Sequence, residues 1–174
     1  MSKEFALSER EDVSRFMVHL TRDDRQDYDH GGSARSNLLS ILSEKRVRAL
    51  SPHCTFNRQI KALSGKNAVM FHTTCFTETP LNRIHLLVRD ILGRGVKLAP
   101  YGICFTKDFI VQQRGQPTIY INEYNNNTWL RECVDELFEK SVTPTKVIKP
   151  HWRTLPFVNS MHDGYDFLWE REWR

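Results

Sequence analysis

Apolar and polar positions alternate in FMVHLT. Phe16, Val18 and Leu20 fall on one side and Met17, His19 and Thr21 on the other, the period of a strand. Upstream, Ser8-x-x-Glu11 reads as a capping box opening a short helix to about Arg15. Residues 22–35, RDDRQDYDHGGSAR, lack periodicity and predict a polar, mobile loop. Leu38, Leu39, Ile41 and Leu42 then take helical spacing behind Ser36 and Asn37. Val47 to Leu50 predicts a short strand, residues 51–67 show no clear period, and residues 69–77 look extended. Thr79-Pro80 predicts a helix start, with Leu81, Ile84, Leu87, Val88 and Ile91 as its stripe and Gly93 past its end.

Tyr101 to Thr106 reads as a buried strand, and Thr106 as the cap of a short helix over residues 107–113. Thr118 to Asn122 predicts a strand, followed by turn chemistry at Asn125-Asn126-Asn127. Leu130, Cys133, Val134, Leu137 and Phe138 give the clearest helical stripe in the chain. Pro144, Pro150, Pro156 and Gly164 punctuate the next stretch. The final YDFLWEREWR alternates, with Tyr165, Phe167, Trp169 and Trp173 on one face and Asp166, Leu168, Glu170 and Glu172 on the other. Short helices and strands mixed in this order predict an α+β fold, one domain over residues 1–174.

Composition narrows the class. With 174 residues, 40% hydrophobic and 26% charged, the chain suits a globular domain rather than a disordered one. No apolar run reaches the ~18 residues of a membrane helix, and the charged N-terminus lacks a secretory core, so a cytoplasmic protein without a membrane partner is expected. Cys54, Cys75, Cys104 and Cys133 form no C-x-x-C pair, and reduced thiols are expected. A net charge of +4 permits an anionic partner without demanding one. Nucleotide-binding loops of the P-loop and Rossmann kinds are absent from the sequence.

Three groups of residues carry candidate chemistry. Glu170 and Glu172 would share one strand face, where two carboxylates repel unless a cation or polar ligand meets them; surface pairing with Arg171 or Arg174 is the structural alternative. His19-x-Thr21 sets an imidazole and a hydroxyl side by side, suited to a sugar or an amide, or else satisfied by backbone carbonyls. Glu78 precedes the expected helix at Thr79, and Lys107 follows the Thr106 cap as a phosphate ligand or a solvated cation. His72-x-x-Cys75 is half a metal site without a second half, so no metal is expected. Arg94, Lys97, Lys146, Lys149, His151, Trp152 and Arg153 interleave charge with an aromatic, as nucleic-acid surfaces do, or are scattered surface charge.

Taken together, FMVHLTR, NLLSILSEKRVRA, CFTETPL, YGICFTKDF, QPTIYIN and YDFLWEREWR resemble the AbiGi group of abortive phage resistance proteins, from about Phe16 to the end. That group is labelled an antitoxin component, which implies a toxin partner. The opening H-x-T strand and the N-L-x-x-I-L helix are also similar to the start of DarT-type ADP-ribosyltransferases acting on nucleic acid. The second resemblance implies two small sheets forming a cleft for NAD. His19 and Thr21 would hold the cofactor, with Arg35 on phosphate and Tyr101 stacking. Glu172 would stabilise positive charge on the ribose, with Glu170 orienting a nucleic-acid or protein acceptor. Against that family, a chain stopping at Arg174 directly after the motif suggests truncation or a distinct subgroup.

Overall fold

The computed structural model describes residues 12–24, 32–50, 53–63, 65–141, 150–164, 166 and 168–174. It shows the expected α+β class, with helices and two small sheets. The chain divides into two compact units. The first takes Met1–Arg48, Cys75–Gln116 and Trp169–Trp173; the second takes Ala49–Thr74, Pro117–Leu168 and Arg174.

The first unit is built on a four-stranded antiparallel sheet. Its strands are β1 (Phe16–Leu20), β2 (Phe76–Thr77), β3 (Gly102–Thr106) and β6 (Glu172–Trp173), in the order β3-β1-β2-β6. Met17 is opposite Phe105, His19 opposite Ile103 and Leu20 opposite Gly102. A Cβ on Gly102 would stand 2.6 Å from the His19 carbonyl oxygen, so this pairing admits only glycine. Met17, Val18, Leu87 and Ile110 supply the buried apolar contacts, each contributing roughly 1.5–3 kcal/mol.

Helix α1 (Ala34–Glu44) starts one turn earlier than its leucines suggest, because Ser33 is its cap and accepts from the Ser36 amide at 3.2 Å. The described ends of the preceding loop are tied down. Asp23 accepts from the Ala34 amide at 2.7 Å, and Asp24 accepts from the Asn37 side chain at 3.1 Å. Thr106 caps α4 (Lys107–Gln112) by accepting from the Phe109 amide, as expected.

The second unit holds α2 (Asn57–Lys61) and α3 (Gly65–Val69), in the stretch where the sequence shows no clear period. A β-α-β run follows: β4 (Ile119–Asn122), α5 (Trp129–Ser141) and β5 (Val158–Met161), with Ile119 opposite Val158 in a parallel pair. Parallel neighbours require a crossover, and α5 lies within that connection. Phe56, Ile60, Phe71, Ile121, Phe138, Trp152, Leu155 and Val158 form one core, with the Phe138 and Trp152 rings 5.0 Å apart. Trp152 is therefore a core side chain, not part of a nucleic-acid surface.

Several expectations need correction. Val47 to Leu50 is not a strand; Leu50 makes one isolated bridge to Thr73. Within residues 69–77, Val69 ends α3, Thr73 makes that isolated bridge and Phe76–Thr77 form the short strand β2. The helix expected from Thr79 is a single 3-10 turn at Ile84–Val88. The Thr79 amide donates to the Thr77 hydroxyl at 3.0 Å instead of opening an α-helix. Strand β3 lies at a sheet edge and is half-exposed, not buried. Residues 12–15 form turns, and the capping box Ser8–Glu11 lies outside the described residues, as do Tyr165, Phe167, Lys146 and Lys149. All four cysteines are free.

The final segment departs most. Leu168–Glu170 is a 3-10 turn and only Glu172–Trp173 is strand. Arg171 between them takes a left-handed φ of 47°, which breaks the alternation that would set Glu170 and Glu172 on one strand face.

Candidate functional site

Strand alternation sorts the first unit's sheet into two faces. Met17, His19 and Thr21 share one with Phe105 and Ile103 of β3, and with Phe76 and Trp173 across β2 and β6. Ring contacts trace the same face: His19 to Phe76 at 5.7 Å, Phe76 to Phe105 at 5.9 Å, and Phe105 stacked on Phe109 at 5.3 Å. Val18, Thr77 and Glu172 belong to the opposite face. The first and last strands do lie in one sheet, but His19 and Glu172 leave it on different sides.

His19 has a defined chemical state. Its Nδ1 lies 2.8 Å from the Cys75 carbonyl, which can only accept, so Nδ1 carries the proton. Burial pushes the imidazole below its ordinary value, the Cys75 bond opposes this and the Arg22 charge adds to it. The neutral ring leaves Nε2 as a lone-pair acceptor beside an aromatic row.

Protonating such a ring works against the fold. Its folded-state pKa lies below the usual 6.5, so as pH falls the unfolded chain takes the proton first. The His19 contribution to stability is therefore whole above pH 6.5 and is lost as pH drops from there toward the folded-state value. Urea midpoints measured from neutral to mildly acidic pH should fall across that window. His19→Asn, which retains a donor near the Nδ1 position, should flatten the slope; an unchanged slope would assign the effect to another group.

Thr21 ties three segments together. Its buried hydroxyl is 2.8 Å from the Ala34 carbonyl and 3.1 Å from the Tyr101 carbonyl, and its amide donates to Tyr101 at 2.8 Å. Those bonds set the start of α1, where Arg35 is exposed, against the start of β3, where Tyr101 is exposed. The sequence-derived residues His19, Thr21, Arg35 and Tyr101 thus come from neighbouring points of one unit. Thr21 spends its hydroxyl on backbone carbonyls, so it shapes this region rather than offering a free donor.

The two glutamates have other surroundings. Glu170 pairs with Arg94 at 3.1 Å, with both side chains largely buried, and its carbonyl accepts from the Thr77 hydroxyl at 2.5 Å. Arg94 also donates to the Leu87 carbonyl at 2.6 Å. The acid on the His19 face is Glu78. It bonds Lys107 through one oxygen and accepts from the Trp173 indole at 3.0 Å through the other, and the Lys107 ammonium sits 4.9 Å from the Trp173 ring centre. This cluster fastens β2, α4 and β6. It replaces both the helix-terminus role expected of Glu78 and a freely solvated Lys107. No local signal announces it, since its members lie far apart in sequence.

Among the described residues, no helix is long and apolar enough to cross a membrane. No family model, curated protein or solved structure matches the chain.

Proposed function

We propose that this chain is a phage-defence protein of the abortive-infection kind. Its first unit carries an ADP-ribosyltransferase-like site that takes NAD on the His19 side and serves a nucleic-acid or protein acceptor. The observation that supports this most is the state of His19: a neutral imidazole whose Nδ1 is held by the Cys75 carbonyl, leaving Nε2 to accept from a ribose hydroxyl. Two exposed residues of the same unit support the cofactor reading. Arg35 supplies a cation for phosphate, and Tyr101 an exposed ring for stacking. Bound there, NAD supplies a glycosidic bond whose cleavage develops positive charge on the ribose, which a fixed carboxylate stabilises. In this reading His19 orients the sugar and Thr21 holds the ends of α1 and β3 in place; Glu172 is the carboxylate proposed for the ribose, although it leaves the opposite face of the sheet, and Glu170 is taken up by Arg94.

One observation favours a second reading, a non-enzymatic antitoxin or regulator. Glu170 is taken up by Arg94, and Glu172 leaves the sheet on the face opposite His19. A chain that acts by holding a toxin partner or nucleic acid needs no carboxylate beside the imidazole.

Calorimetry with NAD tests the shared premise. Wild type should bind, and His19→Ala should weaken binding by about tenfold, the worth of one hydrogen bond. Absence of any NAD binding by wild type would end the cofactor reading. Labelled NAD then separates the two alternatives. Transfer to an acceptor that is lost in Glu172→Gln supports the enzyme. A stoichiometric complex with the neighbouring gene product, indifferent to Glu172→Gln and without transfer, supports the regulator.

A further inference from the structure

Strand β3 runs along one edge of the first unit's sheet, with β1 on its inner side. Two ladder bonds fix which backbone groups face inward. The Thr21 amide donates to the Tyr101 carbonyl and the Lys107 amide to the Arg15 carbonyl, each at 2.8 Å. Alternation then turns the Ile103 and Phe105 groups toward β1. It turns the N–H and C=O of Gly102 and Cys104, and the Thr106 N–H, outward. Gly102, Cys104 and Thr106 are the exposed residues of the strand, and among the described residues these outward groups have no partner.

Proteins guard a free edge with short strands, charge, proline or a bulge. The opposite edge follows that rule, since β6 is two residues long and one of them is Glu172. Strand β3 does not. Its five residues, GICFT, hold neither charge nor proline, and they pair with β1 residue for residue, without a bulge. Helix α4 places Phe109 on the Phe105 ring, over the sheet face, and leaves the edge uncovered.

The strand's own sequence fits this edge. Antiparallel pairing about a two-fold axis at Cys104 matches all five residues, and any other register leaves some of them unpaired. Gly102 then meets Thr106, Ile103 meets Phe105, and Cys104 meets Cys104 of the second copy. Outward donors meet outward acceptors in about four backbone hydrogen bonds. Apolar side chains face each other beside the aromatic row, Gly102 leaves room for the Thr106 side chain, and no charge opposes its like. We infer that the chain forms a two-fold dimer in which β3 pairs antiparallel with β3 of a second copy, joining the two sheets edge to edge. The contact uses the first unit alone and is independent of the cofactor reading.

Three measurements on the full chain test this. By light scattering, the mass of a concentrated sample should be twice 20.5 kDa. Amide exchange at Cys104 and Thr106 should slow at least tenfold from dilute to concentrated protein, while Ile103 and Phe105, bonded within their own sheet, should not change. The paired Cys104 Cα atoms would stand about 5.5 Å apart, a span that a disulfide bridges. Partial desolvation holds the Cys104 thiol above its ordinary value, so the cross-link needs an added oxidant, diamide. It should form in Cys133→Ser and be lost in Cys104→Ser, whose mass under reducing conditions should remain doubled. Cys104→Lys, at an exposed position, sets two ammonium groups opposite each other and should raise the dissociation constant at least tenfold with unchanged melting. A wild type that stays monomeric overturns the inference, including one whose edge amides slow only when a different chain is added. So does a dimer whose Cys104 and Thr106 exchange is unmoved, a cross-link that survives in Cys104→Ser, or a folded Cys104→Lys chain that dimerises as tightly as wild type.

Discussion

Arg174→Ala is expected to destabilise the second unit by roughly 2–5 kcal/mol, because it strands buried acceptors and leaves a void. The residue is 5% exposed. Its guanidinium donates to the Pro156 carbonyl and, at 2.6 Å, to the His53 carbonyl. Arg174 thus crosses from the turn at Pro150–Phe157 to the segment before α2. Lysine offers one ammonium in place of a planar fork, so Arg174→Lys should recover only part of the loss. Urea unfolding monitored by tryptophan fluorescence reads the effect. A change within about 0.5 kcal/mol, the range of ordinary surface substitutions, would show that the guanidinium anchors nothing.

Breaking the Arg94–Glu170 pair is the second large effect. The side chains are 7% and 16% exposed, so each screens the other from an uncompensated burial. Arg94→Ala should cost roughly 2–4 kcal/mol, somewhat below a fully buried pair. Glu170→Gln should cost less, since the amide still accepts from the guanidinium. Replacing both partners with Met and Leu should recover most of the loss, because two apolar groups leave no charge behind. The same variants decide what Glu170 is for. If Glu170→Gln lowers the unfolding midpoint and any NAD turnover falls only in proportion to the folded fraction, the glutamate is a fastener. A turnover loss with an unmoved midpoint would make it a catalytic group.

These effects mark where the sequence is readable. Strand β1 follows from the alternation of FMVHLT, and α5 from five apolar residues at helical spacing, because a strand or helix period is written in neighbouring residues. The Thr106 cap of α4 is legible for the same reason. The C-terminal segment misleads. YDFLWEREWR carries a strand's alternation, yet Arg171 adopts a left-handed conformation that its residue type does not favour. On the far side of that residue Glu172 pairs with Thr77 in the ladder, while the Glu170 carbonyl receives the Thr77 hydroxyl. Thr79-Pro80 misleads similarly: its amide donates to Thr77 as at a helix start, yet only the 3-10 segment at Ile84–Val88 follows.

The sequence alone determined the α+β class, the H-x-T strand and the helical faces of α1 and α5, since each depends on side-chain spacing along a single element. Only the tertiary structure decided which face of the sheet each acid occupies, and which cation each acid meets. Glu78 finds Lys107 and Trp173, Glu170 finds Arg94, and Glu172 is turned away from His19. The physical reason is that one residue of register reverses a side chain's face, and charge pairs form between positions dozens of residues apart.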